Sequence, residues 1–153
     1  MASNSSRISG PWDHKEIEFY LASTVVPVRL SANNKNGWPI VVSLWFLYEE
    51  GHLLAASRKS SKIIEYLEVN PRCGFEIARE APPYYGVRGY GDATLTPDQN
   101  AKLLTRLADR YVGAEKTHFR QWLISGGKEE TTIQIRPRFW MSWDYRARME
   151  GED

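Results

Sequence analysis

Alternating apolar and polar residues along the chain predict about six short β-strands. They are expected over residues 25–31, 38–48, 53–57, 73–78, 84–95 and 131–136, before an aromatic segment at 139–145. Turn sequences containing Asn-Gly and Glu-Gly join the first three strands, which indicates an antiparallel meander. Glycines at 86, 89 and 91 inside the fifth strand are typical of a bulge, a barrel bend or the close approach of another body.

Helical spacing of apolar residues occurs in three segments between these strands. Asp13 is expected to cap the first helix, and Glu16 is placed to complete a capping box. Ser60 or Ser61 can cap a second helix that stops before Asn70-Pro71.

The third helix carries the clearest start and stop signals. Thr96-Pro97-Asp98 is expected to open it, with a cap and with Pro97 in the first turn, and Gly113 follows its last apolar position. Six strands with intervening helices predict a mainly β protein with helices, a closed or split antiparallel barrel with helices at its ends.

The 153 residues fit one domain, which we expect over residues 13–148, with a flexible leader at 1–12 and a flexible C-terminus at 149–153. The 20 basic and 19 acidic residues leave a net charge of +1, so neither nucleic acid nor an anionic membrane is expected as a partner. No apolar run is long enough for a membrane helix. A single cysteine suits a reducing compartment, and a cytoplasmic location is expected.

Motifs for catalysis by the chain's own side chains are missing. His14, His52 and His118 are isolated, with no metal-ligand spacing, so no metal site is expected. Cys73 has no neighbouring histidine or cation in sequence and is expected to be a buried structural thiol. The glycine-rich stretch at 86–91 precedes a strand rather than a helix, which excludes a dinucleotide-binding turn there. Catalytic residues therefore stay unassigned.

A cluster of three hydroxyls and three cations at residues 57–62 is the first of two features that point to a ligand. It lies between a predicted strand and a predicted helix, where backbone N–H groups and the helix dipole favour a phosphate. Aromatic residues at 140–143 are the second feature. A cofactor with a phosphate at one end and a flat ring at the other would use both, although a solvated loop and plain core packing would also account for them separately.

Five segments, in this order, resemble the pyridoxamine 5′-phosphate oxidase-like superfamily, the FMN-binding split barrels. They are GWPIVVSLWF at 37–46, SRKSSKIIEYLEVNPR at 57–72, YYGVRGYGDA at 84–93, ADRYVG at 108–113 and RPRFWMSW at 136–143. The resemblance implies a six-stranded antiparallel split β-barrel that forms a homodimer, with FMN in each groove between the two chains. It also implies that the flavin, rather than a catalytic triad, carries the hydride chemistry.

The same resemblance implies which residues contact the flavin. The residues implied to bind the phosphate are Ser57, Arg58, Ser60, Ser61 and Lys62. The ring lies along Val42, Ser43 and Leu44, with Arg88 and Trp143 nearby, Trp143 from the partner subunit.

Two departures from the family pattern limit what the resemblance implies. Ala56 and Ser61 stand where the family often has Thr and Arg, and no segment after Trp143 matches the R-L-H-D-R type sequence of true pyridoxamine phosphate oxidases. That particular activity is therefore not expected. The leading hypothesis is an FMN-dependent oxidoreductase that transfers hydride to a small conjugated or heteroaromatic substrate. A deazaflavin-dependent reductase of the same fold and a non-enzymatic flavin- or haem-binding protein stay open as alternatives.

Overall fold

The computed structural model describes residues 6–113, 115, 117–126 and 129–151. Its strands are β1 (Arg7–Ser9), β2 (Val28–Asn33), β3 (Pro39–Leu44), β4 (Phe46–Glu49), β5 (His52–Arg58), β6 (Arg72–Ala78), β7 (Tyr85–Pro97) and β8 (Glu130–Asp144). Its helices are α1 (His14–Ser23), α2 (Lys62–Val69), α3 (Lys102–Tyr111), α4 (Thr117–Ser125) and α5 (Arg146–Met149).

Hydrogen bonds join these strands into one sheet with the order β3-β2-β6-β7-β8-β5-β4. Neighbours in this order pair antiparallel, and β1 adds a short parallel pairing to β8. β3, at one end of this order, also contacts β5, near the other end, which shows that the sheet curls. The result is a barrel built mainly from antiparallel β-structure, with helices packed against it.

The predicted number of strands was wrong, since the described sheet has eight strands and not six. One reason is Trp45, which leaves the ladder between β3 and β4 and stacks on Tyr111, with ring centroids 5.3 Å apart. The other is β1, which lies inside the predicted leader and pairs with residues 139–141 of β8. Three residues are too few to show a hydrophobic period. The first five residues of that leader lie outside the described residues.

A bulge allows β8 to run through Pro137 as one strand of 15 residues. The register with β7 shifts between Tyr90 and Gly91, so that β8 accommodates one extra residue there. Gly89 lies so close to β8 that a methyl group on it would clash with the carbonyl oxygen of Phe139. The prediction of a bulge and of close backbone approach at these glycines is confirmed.

Alternate residues of the strands point into one core, which two helices cover. β2 buries Val28, Leu30 and Ala32, and β8 buries Ile133 and Ile135. The helices add six buried side chains, namely Ile17, Tyr20 and Leu21 of α1 and Ile63, Ile64 and Leu67 of α2. Each large apolar side chain buried in this way stabilises the fold by about 1.5–3 kcal/mol relative to exposure.

Sequence signals located the cap of α1 but not the start of α3. The capping box of α1 forms as predicted, with 2.8 Å between Asp13 Oδ1 and Glu16 N. Pro97 was expected in the first turn of α3 but is instead the last residue of β7. Asp98 still caps, because its carboxylate accepts hydrogen bonds from Leu103 N at 2.9 Å and from the following amide at 3.0 Å. A 3₁₀ turn with left-handed residues separates Asp98 from the helix.

Candidate functional site

The predicted phosphate site lies where β5 ends and α2 begins. Ser57 Oγ and Ser61 Oγ are 2.8 Å apart and share a hydrogen bond. Ser61 occupies the N-cap position of α2, but its side chain makes no capping hydrogen bond. The first-turn N–H groups of α2 therefore lack a side-chain cap, and two hydroxyls stand beside them. These are the donors that bind phosphate at a helix N-terminus.

Three cations surround these hydroxyls, and two carboxylates moderate their charge. Lys62 Nζ contacts Glu65 Oε2 at 3.1 Å, a hydrogen bond that raises the pKa of Lys62, and its side chain is 73% exposed. Arg58 lies opposite Glu130 in the ladder. Burial raises the pKa of Glu130, and Arg58 partly opposes that rise. Lys59 is the third cation of the cluster, and Asp98 adds a third carboxylate next to Glu130.

Val42, Ser43 and Leu44 lie on β3, at an edge of the hydrogen-bonded sheet order. Val42 and Leu44 pack half-buried against the core, whereas Ser43 faces solvent and accepts a hydrogen bond from the Arg29 guanidinium. β3 contacts β5 within the same chain. Phe46 pairs with Ala55, so the chain before Phe46 runs toward the end of β5 that carries the phosphate cluster. The structure thus brings these two predicted sets together.

Arg88 and Trp143 lie away from the phosphate cluster. The Arg88 guanidinium stands 4.9 Å from the centre of the Trp143 ring, and its Nε is 3.3 Å from Met141 Sδ. Both residues line a cavity of about 330 Å³. Arg58 pairs with Glu130 near the start of β8, whereas Trp143 lies near its end, after about 40 Å of strand. One chain does not bring the phosphate cluster and Trp143 together.

No sequence signal predicted a cavity beside α1. This cavity measures about 710 Å³, with Trp12, Tyr20 and Tyr85 in its wall. These residues come from distant parts of the chain, so no motif could reveal them. Elsewhere, Cys73 is buried as predicted, and burial raises the pKa of its thiol to about 12. That thiol is therefore protonated at neutral pH and is a poor nucleophile.

Within the described ranges, no group of three or more His, Cys, Asp or Glu side chains could hold a metal ion. None of the described helices combines the length and the apolar composition required to cross a bilayer.

Solved structures share this architecture over most of the chain. The conserved hypothetical protein Rv2991 from Mycobacterium tuberculosis superposes with a TM-score of 0.73 at 20% identity, covering 89% of this chain and 87% of its own. A protein named F420 reductase gives 0.64 at 20% identity, with coverages of 85% and 97%. A protein from Listeria innocua, named as a candidate pyridoxamine 5′-phosphate oxidase, gives 0.63 at 18% identity, with coverages of 84% and 95%.

The chain has the pyridoxamine 5′-phosphate oxidase-like split-barrel fold. The predicted resemblance is thereby confirmed at the level of the fold. No family model and no curated protein matches the sequence. At identities of 18–20%, these matches show the split-barrel fold alone. The roles of the site residues are therefore inferred from the geometry described above.

Proposed function

We propose that this split barrel binds a flavin-type cofactor, FMN in the first instance, with its phosphate at residues 57–62. The observation that carries the proposal is the N-terminus of α2, where Ser61 leaves the helix without a side-chain cap beside paired hydroxyls and exposed cations. This donor set fits a phosphate monoester, which offers several acceptor oxygens and a double negative charge. Similarity to proteins named for flavin-type cofactors or for flavin-dependent enzymes supports the same assignment.

The remaining contacts follow from the edge strand β3 and from a second copy of the chain. β3 offers unpaired backbone groups on its free side, which can meet the polar edge of a flat ring lying beside Ser43. Trp143 of the partner subunit, with its Arg88 contact, would supply an aromatic wall. A homodimer is therefore part of the proposal, because the phosphate cluster lies beside the start of β8 and Trp143 lies near its end in one chain.

Within such a groove, the chain's residues position and stabilise while the flavin, when bound, supplies hydride transfer. Lys62 and the Ser57–Ser61 pair would hold the phosphate, and the backbone of β3 at residues 42–44 would lie along the ring. We propose oxidoreductase activity by hydride transfer on a small conjugated or heteroaromatic substrate.

A deazaflavin cofactor is the second candidate, and one observation favours it. A cavity of about 260 Å³ adjoins Arg58 and is lined by Trp122 and Glu130. A cofactor with a tail extending past its first phosphate could place that tail there, where Arg58 provides a positive charge. FMN ends at its phosphate and would leave this cavity free.

Titration of the purified protein with FMN and with the deazaflavin tests both candidates. Tight binding of one of them, at one per chain in a particle of dimer mass, is the expected result. A protein that binds neither would contradict the proposal. Anaerobic reduction of the bound cofactor by NADPH, followed by reoxidation with nitroaromatic or quinone acceptors, separates an enzyme from a non-enzymatic flavin- or haem-binding protein.

A further inference from the structure

A second cavity, the outer-face cavity, lies on the side of the sheet opposite the core, where β2, β6 and β7 run side by side. Ser31, Gly74 and Tyr90 are directly opposite one another on these strands, so they share that outer face. Among the described residues, a methyl group on Gly74 would meet only the Gly89 carbonyl oxygen, at 3.7 Å, so the space above the backbone is open. The cavity measures about 590 Å³, which accommodates a ligand of two fused rings.

Tyr90 forms one wall of the outer-face cavity and keeps part of its ring accessible. The ring packs against Phe139 on the β8 side, with centroids 5.3 Å apart, and its hydroxyl accepts a hydrogen bond from Arg7 Nη2 at 3.3 Å. On the β6 side its neighbour is Gly74, which has no side chain to cover the ring. Tyr90 is 49% exposed, and no described cation lies over its ring. A wall that is both held in place and accessible favours a flat ring.

The charged side chains that line the outer-face cavity leave an excess of one positive charge. Arg72 and Arg138 are its cations, and Asp92 is its carboxylate. Arg138 donates from Nε to Asp92 Oδ2, and its two Nη groups remain for another acceptor. Arg72 is exposed and forms no ion pair with a described residue. Both guanidinium groups can therefore donate to a ligand.

The charges around the outer-face cavity do not cancel this excess. Arg136 lies opposite the cavity's carboxylate in the ladder of β7 and β8 and adds positive charge. Further along β6, Glu76 lies between Arg29 and Arg88 on the neighbouring strands. Glu80 pairs with Arg29, so these two carboxylates and two arginines balance one another. The surroundings as a whole favour an anion.

We propose that the outer-face cavity binds a planar aromatic carboxylate. The ring system lies over Gly74 against the accessible face of Tyr90. Arg72 is two residues along β6 from Gly74, roughly 7 Å away, and there the carboxylate accepts hydrogen bonds from Arg72 and Arg138. One negative charge matches the excess of one positive charge, whereas a phosphate monoester carries nearly two. The cavity is built within one chain, so binding does not require the flavin, and the two proposals can fail independently.

Calorimetric titration of the cofactor-free protein with 2-naphthoate tests the proposal. We expect saturable binding, about tenfold or more tighter than binding of 2-naphthamide, which keeps the rings and the shape but lacks the charge. Cyclohexanecarboxylate, which keeps the charge but lacks the flat rings, should also bind about tenfold or more weakly than naphthoate. No binding of naphthoate at millimolar concentration, or equal affinity for all three compounds, would overturn the proposal.

Gly74→Val places a side chain inside the outer-face cavity without removing a contact of the fold. Gly74 does not have a positive φ, and the added atoms meet open space, so the variant should fold at least as stably as the unmodified chain. Naphthoate binding should weaken about tenfold or more. Thr94→Val is the control, because it adds a valine at an exposed position of β7 outside the cavity. Equal affinities of the two variants would refute the location of the site.

Arg72→Gln should weaken naphthoate binding about 10- to 100-fold, as expected for loss of a charge-assisted hydrogen bond, and should leave binding of the neutral amide nearly unchanged. Arg106→Gln is the matched control, because it removes the same charge from an exposed arginine outside the outer-face cavity. Its affinity for naphthoate should equal that of the unmodified chain. An equal loss in both variants, or no loss in Arg72→Gln, would contradict the assignment of the carboxylate to Arg72.

Discussion

Arg110 at the end of α3 and Lys62 at the start of α2 are both cations at helix ends, yet their surroundings are opposite. The Arg110 guanidinium donates to the carbonyls of Leu21, Thr24 and Phe46 and lies 4.7 Å from the centre of the Phe46 ring. Lys62 contacts one carboxylate on its own helix and is 73% exposed. The Arg110 guanidinium is therefore used in contacts within the fold, whereas the Lys62 ammonium group remains accessible to a ligand.

This difference shows how to separate structural cations from ligand-binding ones. Arg110 satisfies carbonyls at the C-terminal end of α1 and in β4, so it ties α3 to two other parts of the barrel. Lys62 stands with hydroxyls and uncapped helix N–H groups, which have no acceptor as strong as a phosphate in the chain itself. Both residues lie in segments that resemble the family, and only the structure distinguishes their roles.

The largest effect is expected from Arg110→Ala. Three carbonyls would lose a charged donor, and we expect the free energy of unfolding to fall by about 3 kcal/mol. Arg106→Ala, one turn earlier on the same helix, removes only an exposed pair with Glu49 and should cost at most about 1 kcal/mol. Urea unfolding at fixed protein concentration measures both variants. Equal losses would contradict the structural role of Arg110.

Lys62→Ala should have the opposite profile. Stability should hardly change, because the side chain is exposed, while flavin binding should weaken roughly 10- to 150-fold. Lys102→Ala is the control, since Lys102 is likewise the first residue of its helix. Fluorescence titration with FMN gives the affinities. The phosphate assignment fails if Lys62→Ala binds FMN as tightly as the Lys102 variant.

The smallest effect concerns Glu130, whose pKa is raised mainly by burial. A raised carboxyl pKa means that ionisation destabilises the folded state, a cost absent below the ordinary glutamate pKa and fully present above the folded one. Glu130→Gln should therefore stabilise the protein more at pH 7 than at pH 4. It also frees Arg58 from a competing charge, so FMN should bind about two- to fivefold more tightly.

Thermal unfolding at the two pH values and FMN titration at pH 7 provide the readouts. Weaker FMN binding by Glu130→Gln would show that this carboxylate supports the phosphate site instead of opposing it.

The elements predicted well from sequence are those whose signals are local. Alternation located β2, β5 and β6 to within a few residues, and the Asp13 cap located α1. The errors arise where tertiary contacts determine whether a strand forms or where it ends. Trp45 leaves its strand because Tyr111, 66 residues further along the chain, offers a stacking partner, and β1 forms because β8 provides a parallel neighbour. Neither contact leaves a periodic pattern in the sequence.

The same distinction applies to the sites. Residues 57–62 are contiguous, so their composition could be read directly, and the structure adds that Ser61 leaves α2 uncapped. The outer-face cavity joins Arg72, Tyr90 and Arg138, which only the fold brings together. The length of β8 separates Trp143 from the phosphate cluster within one chain, and the sequence did not predict that length. Because of this separation, the proposed groove requires a second chain.

A mixed dimer tests that central claim most directly. Chains carrying Lys62→Ala and chains carrying Trp143→Ala are coexpressed with different tags, and the dimer containing one of each is isolated. If the phosphate cluster and Trp143 come from different subunits, one of its two grooves keeps both residues intact, and FMN binds with the original affinity at one site per dimer. If the mixed dimer has no tight site, each groove is built within a single chain, and the account is contradicted.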